Sequence, residues 1–261
     1  MTNDPLHTFV IPAYKESPFI EQCIQSLLAQ SVKSEIIITT STPTDYTKNI
    51  AEKYNLPYYI NDKKGIANDW NFALSKVSTP LATIAHQDDI YESAYAESVI
   101  KATNKNVLIT FTGYCDWVND QRRPKSLNYF VKRVLLFPFL FKNEVKSNYF
   151  KKLVLKFGDP ICCPAVTYNL EALNDFGFSQ DFTVALDWYA WFQLANRKGS
   201  FVYISRNLMN HRIHEESETT AKLSDGIRKQ EELQMFQMMW GKRMAAFISW
   251  VYTLGHADNK I

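Results

Sequence analysis

The chain has 261 residues, enough for one α/β domain with a substantial insertion or for two small domains. Apolar residues make up 46% and charged residues 21%, an ordinary globular balance, and the net charge of +2 excludes a global nucleic-acid footprint. The charge is unevenly placed: from Lys125 to Lys156 eight basic residues stand against Glu144 alone, leaving that segment at +7 and the remainder at −5.

Thr8-Phe9-Val10-Ile11-Pro12 reads as a first buried strand, and Ser17-Pro18 as the N-cap and first turn of a helix. That helix has one apolar face, Phe19, Ile20, Cys23, Ile24, Leu27 and Leu28. Glu35 to Thr40 is a second strand, rich in β-branched residues. A polar loop leads to a helix ending near Tyr54, then to a short strand, Leu56 to Ile60. A further helix opens near Gly65 and presents Ile66, Trp70, Ala73 and Val77 on one side.

Leu81 to Asp89 organises the chain. Its first half is short and apolar, as a buried strand is, and its second half sets His86, Gln87, Asp88 and Asp89 at the strand end. Adjacent carboxylates at the lip of a sheet suit a divalent cation and, through it, a diphosphate. The plainer reading is a solvated turn with a helix N-cap. A helix over Glu92–Ala102 and a strand over Val107–Thr112 follow.

This alternation predicts βαβ units and a mostly parallel sheet, with ligands beyond the carboxyl ends of the strands. Three polar strand ends converge there: Ala13 to Glu16, Thr39 to Ser41, and His86 to Asp89. Neither GxGxxG nor GxxxxGK[ST] occurs, so phosphates need a metal.

After Thr112 the rhythm changes. Ser126 to Phe137 spaces Leu127, Phe130, Val134 and Phe137 helically, with Lys132 on the far side, and Lys146 to Phe157 is a second basic, partly apolar segment. These are two surface helices packed on the domain, or else a patch lying on an anionic membrane face. Asp159 to Pro164 is a turn-rich loop before a strand at Ala165–Tyr168. Asp187 lies in the aromatic run Leu186 to Phe192; burial there raises its pKa toward a base's range, whereas an N-cap position lowers it. Phe201 to Ile204 is a strand, and His211-Arg212-Ile213-His214 offers groups suited to phosphate or metal. The tail from Thr219 to Leu254 carries an apolar stripe, including Leu233, Phe236, Trp240, Phe247, Val251 and Leu254, for packing on the domain or on a second copy in a homodimer.

The four cysteines have no metal-type spacing and two are adjacent, which suits a reducing compartment. Without a signal-peptide stretch or an apolar run of ~18 residues, the expectation is a cytoplasmic protein, at most peripheral to the inner face of the cell membrane.

The ordered set of motifs resembles glycosyltransferase family 2, the inverting enzymes of the GT-A fold. Val10 to Glu16 looks like the first nucleotide-binding strand, Gly65 to Asn71 like the helix before the metal motif, and His86 to Asp89 stands at the Asp-x-Asp. Leu186-Asp187 stands at the Glu-Asp pair carrying the base, and Arg212-x-His214 resembles the late loop that closes on the diphosphate. The match runs from about Thr8 to Thr220.

The resemblance implies an α/β, GT-A type Rossmann-like sheet: a glycosyltransferase domain over 1–215, its nucleotide half to about 115 and its acceptor half beyond, a basic helical insertion over about 125–157, and a helical segment over 216–261. It implies transfer of a sugar from a nucleotide-diphosphate donor to a hydroxyl of a glycan or lipid-linked glycan, in surface polysaccharide biosynthesis. Asp187 is then the base; Asp88, Asp89 and His214 hold Mn²⁺ or Mg²⁺; and Pro12, Ala13, Tyr14, Glu16, Thr40, Gly65, Asp69, Asn71, Gln87, Asp88 and Arg212 bind the nucleotide-sugar. Three departures stand out: Thr39-Thr40 replaces a nucleoside-binding acid pair, His86 replaces the first acid of Asp-x-Asp, and Leu186 replaces the acid before the base. A catalytically silent scaffold protein of a polysaccharide assembly complex is the alternative these departures motivate. No QxxRW occurs, so one transfer per encounter is expected. A nucleotidyltransferase would want a glycine-rich loop after the first strand, and no glycine precedes Gly65; a zinc hydrolase lacks HExxH.

Overall fold

The computed structural model describes residues 4–119, 121–123, 127–214 and 225–254. Strand β1 (His7–Ala13) is followed by helix α1 (Ile20–Leu28), β2 (Glu35–Thr40), α2 (Asp45–Lys53), β3 (Tyr58–Ile60), α3 (Ile66–Ser75) and β4 (Leu81–Ile84). Next come β5 (Ile90–Tyr91), α4 (Tyr95–Ala102), β6 (Val107–Val118), β7 (Gln121–Arg122) and α5 (Leu127–Leu135). A 3₁₀ turn (Phe137–Leu140) leads to β8 (Glu144–Val145), α6 (Asn148–Leu155), β9 (Val166–Asn169), α7 (Leu186–Ala195), β10 (Ser200–Arg212) and α8 (Asp225–Leu254).

The main sheet runs β3-β2-β1-β4-β9-β6-β10-β5. Strands β1, β2, β3 and β4 are parallel; β9 runs against both β4 and β6, so β6 and β10 share the direction of the first four. Side chains alternate across β1 as a doubly covered sheet requires: Phe9 and Ile11 join one core with Ile20, Ile24 and Val99, while Val10 joins another with Trp70, Ile84 and Trp191.

Several sequence expectations shift. Helix α1 starts after Phe19, because the backbone first turns through Ser17, whose carbonyl accepts from Ile20 N. Strand β6 runs six residues past Thr112. It does so over a bulged pairing with β10, where a Cβ on Gly113 would stand 2.6 Å from Asn207 Oδ1. The expected helix starts at Ser126 and Thr219, and the boundary at 215/216, lie outside the described residues.

Helix α5 is turned opposite to an ordinary surface helix. Lys132 points inward and its Nζ donates to Tyr114 Oη at 2.6 Å, while Phe130 and Val134 face solvent. Helix α8 breaks at Gly241 (φ +73, ψ 164), and its first part buries Met235 and Phe236. Phe247 of the stripe is exposed, and nothing is described for the side chains of Val251 and Leu254. Among the described residues no helix is long and apolar enough to cross a membrane.

Candidate active site

A cavity of about 1400 Å³ opens beyond the carboxyl ends of β1, β2 and β4 and extends to α5, α7 and α8. Asp88 and Asp187, drawn from distant elements, both line it.

Along the carboxyl ends of β1, β2 and β4 the strand tips are tied together. The Gln87 amide bonds Tyr14 twice: its Oε1 accepts from Tyr14 N and its Nε2 donates to Tyr14 O, both at 3.1 Å. Lys15, at φ +53, donates its N–H to Thr42 Oγ1 at 2.7 Å. Beside the tip of β2, Asp69 of α3 accepts from Ser41 Oγ and from Asn61 Nδ2, each at 2.9 Å. Gly65, at φ +114, lets the chain turn into α3 at the cavity wall. Pro12, Ala13, Tyr14, Gly65, Asp69, Gln87 and Asp88 line the cavity; Glu16, Thr40, Asn71, Asp89 and Arg212 do not.

Glu16, Thr40, Asn71 and Arg212 each have a physical reason to lie elsewhere, and Asp89 is buried just behind the wall. Glu16 points to solvent, and buried Thr40 uses Oγ1 to accept from Thr42 N. Asn71 clamps the segment before α7, donating to Phe178 O at 2.9 Å and accepting from Phe178 N at 2.7 Å. Arg212, expected on the diphosphate, is buried behind the acids. Its N donates to Asp89 Oδ1 at 2.8 Å, its Nε to Asp88 O at 3.0 Å, and its Nη2 to Gln22 Oε1, over the Phe19 ring. It holds the acidic turn in place from the rear.

One donor atom from each of His86, Asp88 and Asp89 lies within 4.8 Å of the other two. Asp89 Oδ2 and His86 Nε2 are both buried with no hydrogen-bond partner. Burial and the neighbouring Asp88 charge push the Asp89 carboxyl well above its usual range. Burial also raises the Asp88 carboxyl, but the His214 hydrogen bond and the flanking imidazoles outweigh it and leave Asp88 low. Burial lowers His86 to about 4, so its imidazole is neutral with a lone pair to offer. Two orphaned buried donors beside an ionised carboxylate fit a divalent cation. His214, expected as the third ligand, instead bonds Asp88 Oδ2 through Nε2 at 2.9 Å; His86 completes the set.

Asp187, also on the cavity wall, sits in the first turn of α7, after Ala185 as N-cap, with its Oδ1 accepting from Trp188 N at 2.8 Å. Burial pushes its carboxyl up to about 6, against those backbone bonds and the Lys132 and Arg228 charges. It is not a solitary acid. Asp159, in the loop after α6, is raised well above its normal range by burial and by the Asp187 charge.

The loop carrying Asp187 is held from α8. The buried Glu231 carboxylate accepts from Thr183 N at 2.9 Å and from Val184 N and Ala185 N at 2.8 Å. In the sequence both Glu231 and Lys132 read as routine charges on amphipathic helices, with nothing to tie either to Asp187.

The Rossmann-like sheet with helices on both faces has the GT-A fold, which solved glycosyltransferase structures share. The chain resembles S. aureus TarS in complex with UDP-GlcNAc (TM-score 0.64, 16% identity, 96% of this chain and 72% of that one). It also resembles the mannosyltransferase PcManGT of Pyrobaculum calidifontis in complex with GDP-Man and Mn²⁺ (TM-score 0.61, 14% identity, 98% and 76%). The chain belongs to glycosyl transferase family 2, whose sequence profile matches residues 8–175. A curated relative, an uncharacterised glycosyltransferase of Rickettsia typhi, is 24% identical over 247 residues, 92% of this chain and 71% of its own length.

Proposed function

We propose that the protein transfers a sugar, with inversion, from a nucleotide-diphosphate donor to a hydroxyl of a glycan or lipid-linked glycan, in surface polysaccharide biosynthesis. The observation carrying this reading is that Asp88 and Asp187, from distant elements, line one cavity, with Asp187 raised to about 6. A carboxylate with that pKa is ionised at neutral pH yet basic enough to take the acceptor proton as the oxygen attacks the anomeric carbon. One base on the acceptor side suits a single displacement. The nucleoside is received between Pro12, Tyr14 and Asp69, whose positions are fixed by the strand-tip bonds.

His86, Asp88 and Asp89 would hold a divalent metal, which supplies positive charge to the leaving diphosphate. Two carboxylates with one imidazole favour Mn²⁺ over the all-oxygen preference of Mg²⁺. Arg212 keeps the acidic turn rigid from behind, and His214 orients Asp88. The buried donor set at Asp89 and His86 also favours a working enzyme over a silent scaffold, since a scaffold gains nothing from orphaned buried polar atoms.

The test is a thermal-shift screen of nucleotide diphosphates with and without Mn²⁺, on wild type and Asp88→Asn, followed by assay of donor turnover. A Mn²⁺-dependent nucleotide shift lost in Asp88→Asn is expected. Equal nucleotide shifts with and without the metal would remove the cation from the reading.

A further inference from the structure

We infer that the surface formed by α5, the 3₁₀ turn and α6 docks on an anionic lipid bilayer; resting on the sugar-transfer reading above, this face would present a membrane-carried acceptor to the cleft. The orientation of α5 is the starting observation. A helix of a monomeric domain ordinarily buries its apolar stripe and shows its lysines to water. Here Lys132 is turned in to Tyr114, and Val134 is 69% exposed. The outward apolar surface continues through Leu140 at 72% and Phe141 at 85%, and on to Tyr149 of α6. The three elements pack on one another, so their exposed apolar side chains lie on one locally packed unit. Contiguous exposed apolar surface of this kind marks a docking face.

Charge identifies the occupant. Lys142 and Lys146 are exposed beside this apolar layer, within the segment that carries +7. Its only acid, Glu144, accepts from Ser200 Oγ at 2.7 Å and lies 3.7 Å from Lys146 Nζ. Lys151 of that segment is buried on Arg197 O and Gly199 O, so the cations this face shows are Lys142 and Lys146, and a second copy brought face to face here would set like charge against like charge. An anionic lipid surface provides the opposite charge and an apolar interior together, the pairing that interfacial elements use. The patch also meets the active site: Val131 and Phe157 line the cavity and are themselves exposed, so the mouth of the cleft has an apolar rim. A protein lying on this face would open its acceptor side toward the membrane.

The full chain should be floated with phosphatidylcholine vesicles containing about a quarter phosphatidylglycerol, and with phosphatidylcholine alone, at low and high salt. Binding to the anionic vesicles, weakened by salt, is the expected result. The Leu140→Glu/Phe141→Glu pair should weaken it about tenfold. Neither residue lines the cavity, so melting temperature and the Mn²⁺-dependent nucleotide shift should stay unchanged in that variant. Absence of vesicle binding by wild type overturns the inference. So does a dimer, seen by light scattering, that the same two substitutions disperse. Loss of the nucleotide shift in wild type would strike the sugar-transfer reading instead, whatever the vesicles show.

Discussion

Asp187→Asn separates the base from the fold, because the same burial that raises the carboxyl also costs stability. The group rises from an ordinary 3.8 in the unfolded chain to about 6 in the folded one. A raised acid binds its proton more tightly when folded, so stability is full below the unfolded pKa and falls as pH climbs through the folded value. About two pH units at 1.36 kcal/mol each give roughly 3 kcal/mol, and about half of that remains if water reaches the cavity wall. Asparagine keeps an oxygen for Trp188 N and carries no charge, so the variant escapes the penalty. Its melting temperature should exceed wild type by roughly 3–10 °C at about pH 8 and match it near pH 4. Transfer should be lost, while the nucleotide shift persists. Equal melting curves at both pH values would refute the claim that this carboxylate is held against its solvation. Retained turnover would remove it from the chemistry.

Arg212→Ala should cost about 2 kcal/mol in a urea melt, because it removes the guanidinium bonds to Asp88 O and Gln22 Oε1 while the backbone N–H to Asp89 stays. A variant that melts like wild type and loses only donor affinity would instead put the guanidinium on the diphosphate. Lys132→Met should move the acid limb of the pH–rate profile upward, since the lysine charge holds Asp187 down; an unmoved limb would detach it from the base. Glu231→Ala should cost about 3 kcal/mol and lower kcat with donor binding intact, with Glu231→Gln rescuing part of both. Normal turnover in the alanine variant would show that the loop before Asp187 needs no anchor from α8.

What sequence reading reached and what it missed divide by the distance over which a residue acts. The bounds of β2 follow from β-branched density alone, and the helix after Gly65 from apolar spacing and a turn residue. The positions of Asp88 and Asp187 were legible because motif order survives even where individual acids have been replaced. Roles set by contacts far along the chain were not legible. Arg212 reads as a phosphate ligand until its partners, Gln22 and Asp88, are seen to close behind it across more than a hundred residues. Asn71 reads as part of the nucleotide helix until its amide is found clamping Phe178. Helix α5 is the sharpest case, because periodicity fixes which residues share a face but not which way that face looks. Its direction is set by the Lys132–Tyr114 bond, and Tyr114 lies on the part of β6 beyond Thr112, past the end of the strand that the sequence predicts. A lysine drawn into a cleft that also holds buried carboxylates is held there by electrostatics, and the apolar residues on its helix are carried outward as a consequence. The buried Asp187 carboxyl and the exposed face of α5 are therefore one arrangement, which neither half of the sequence specifies alone.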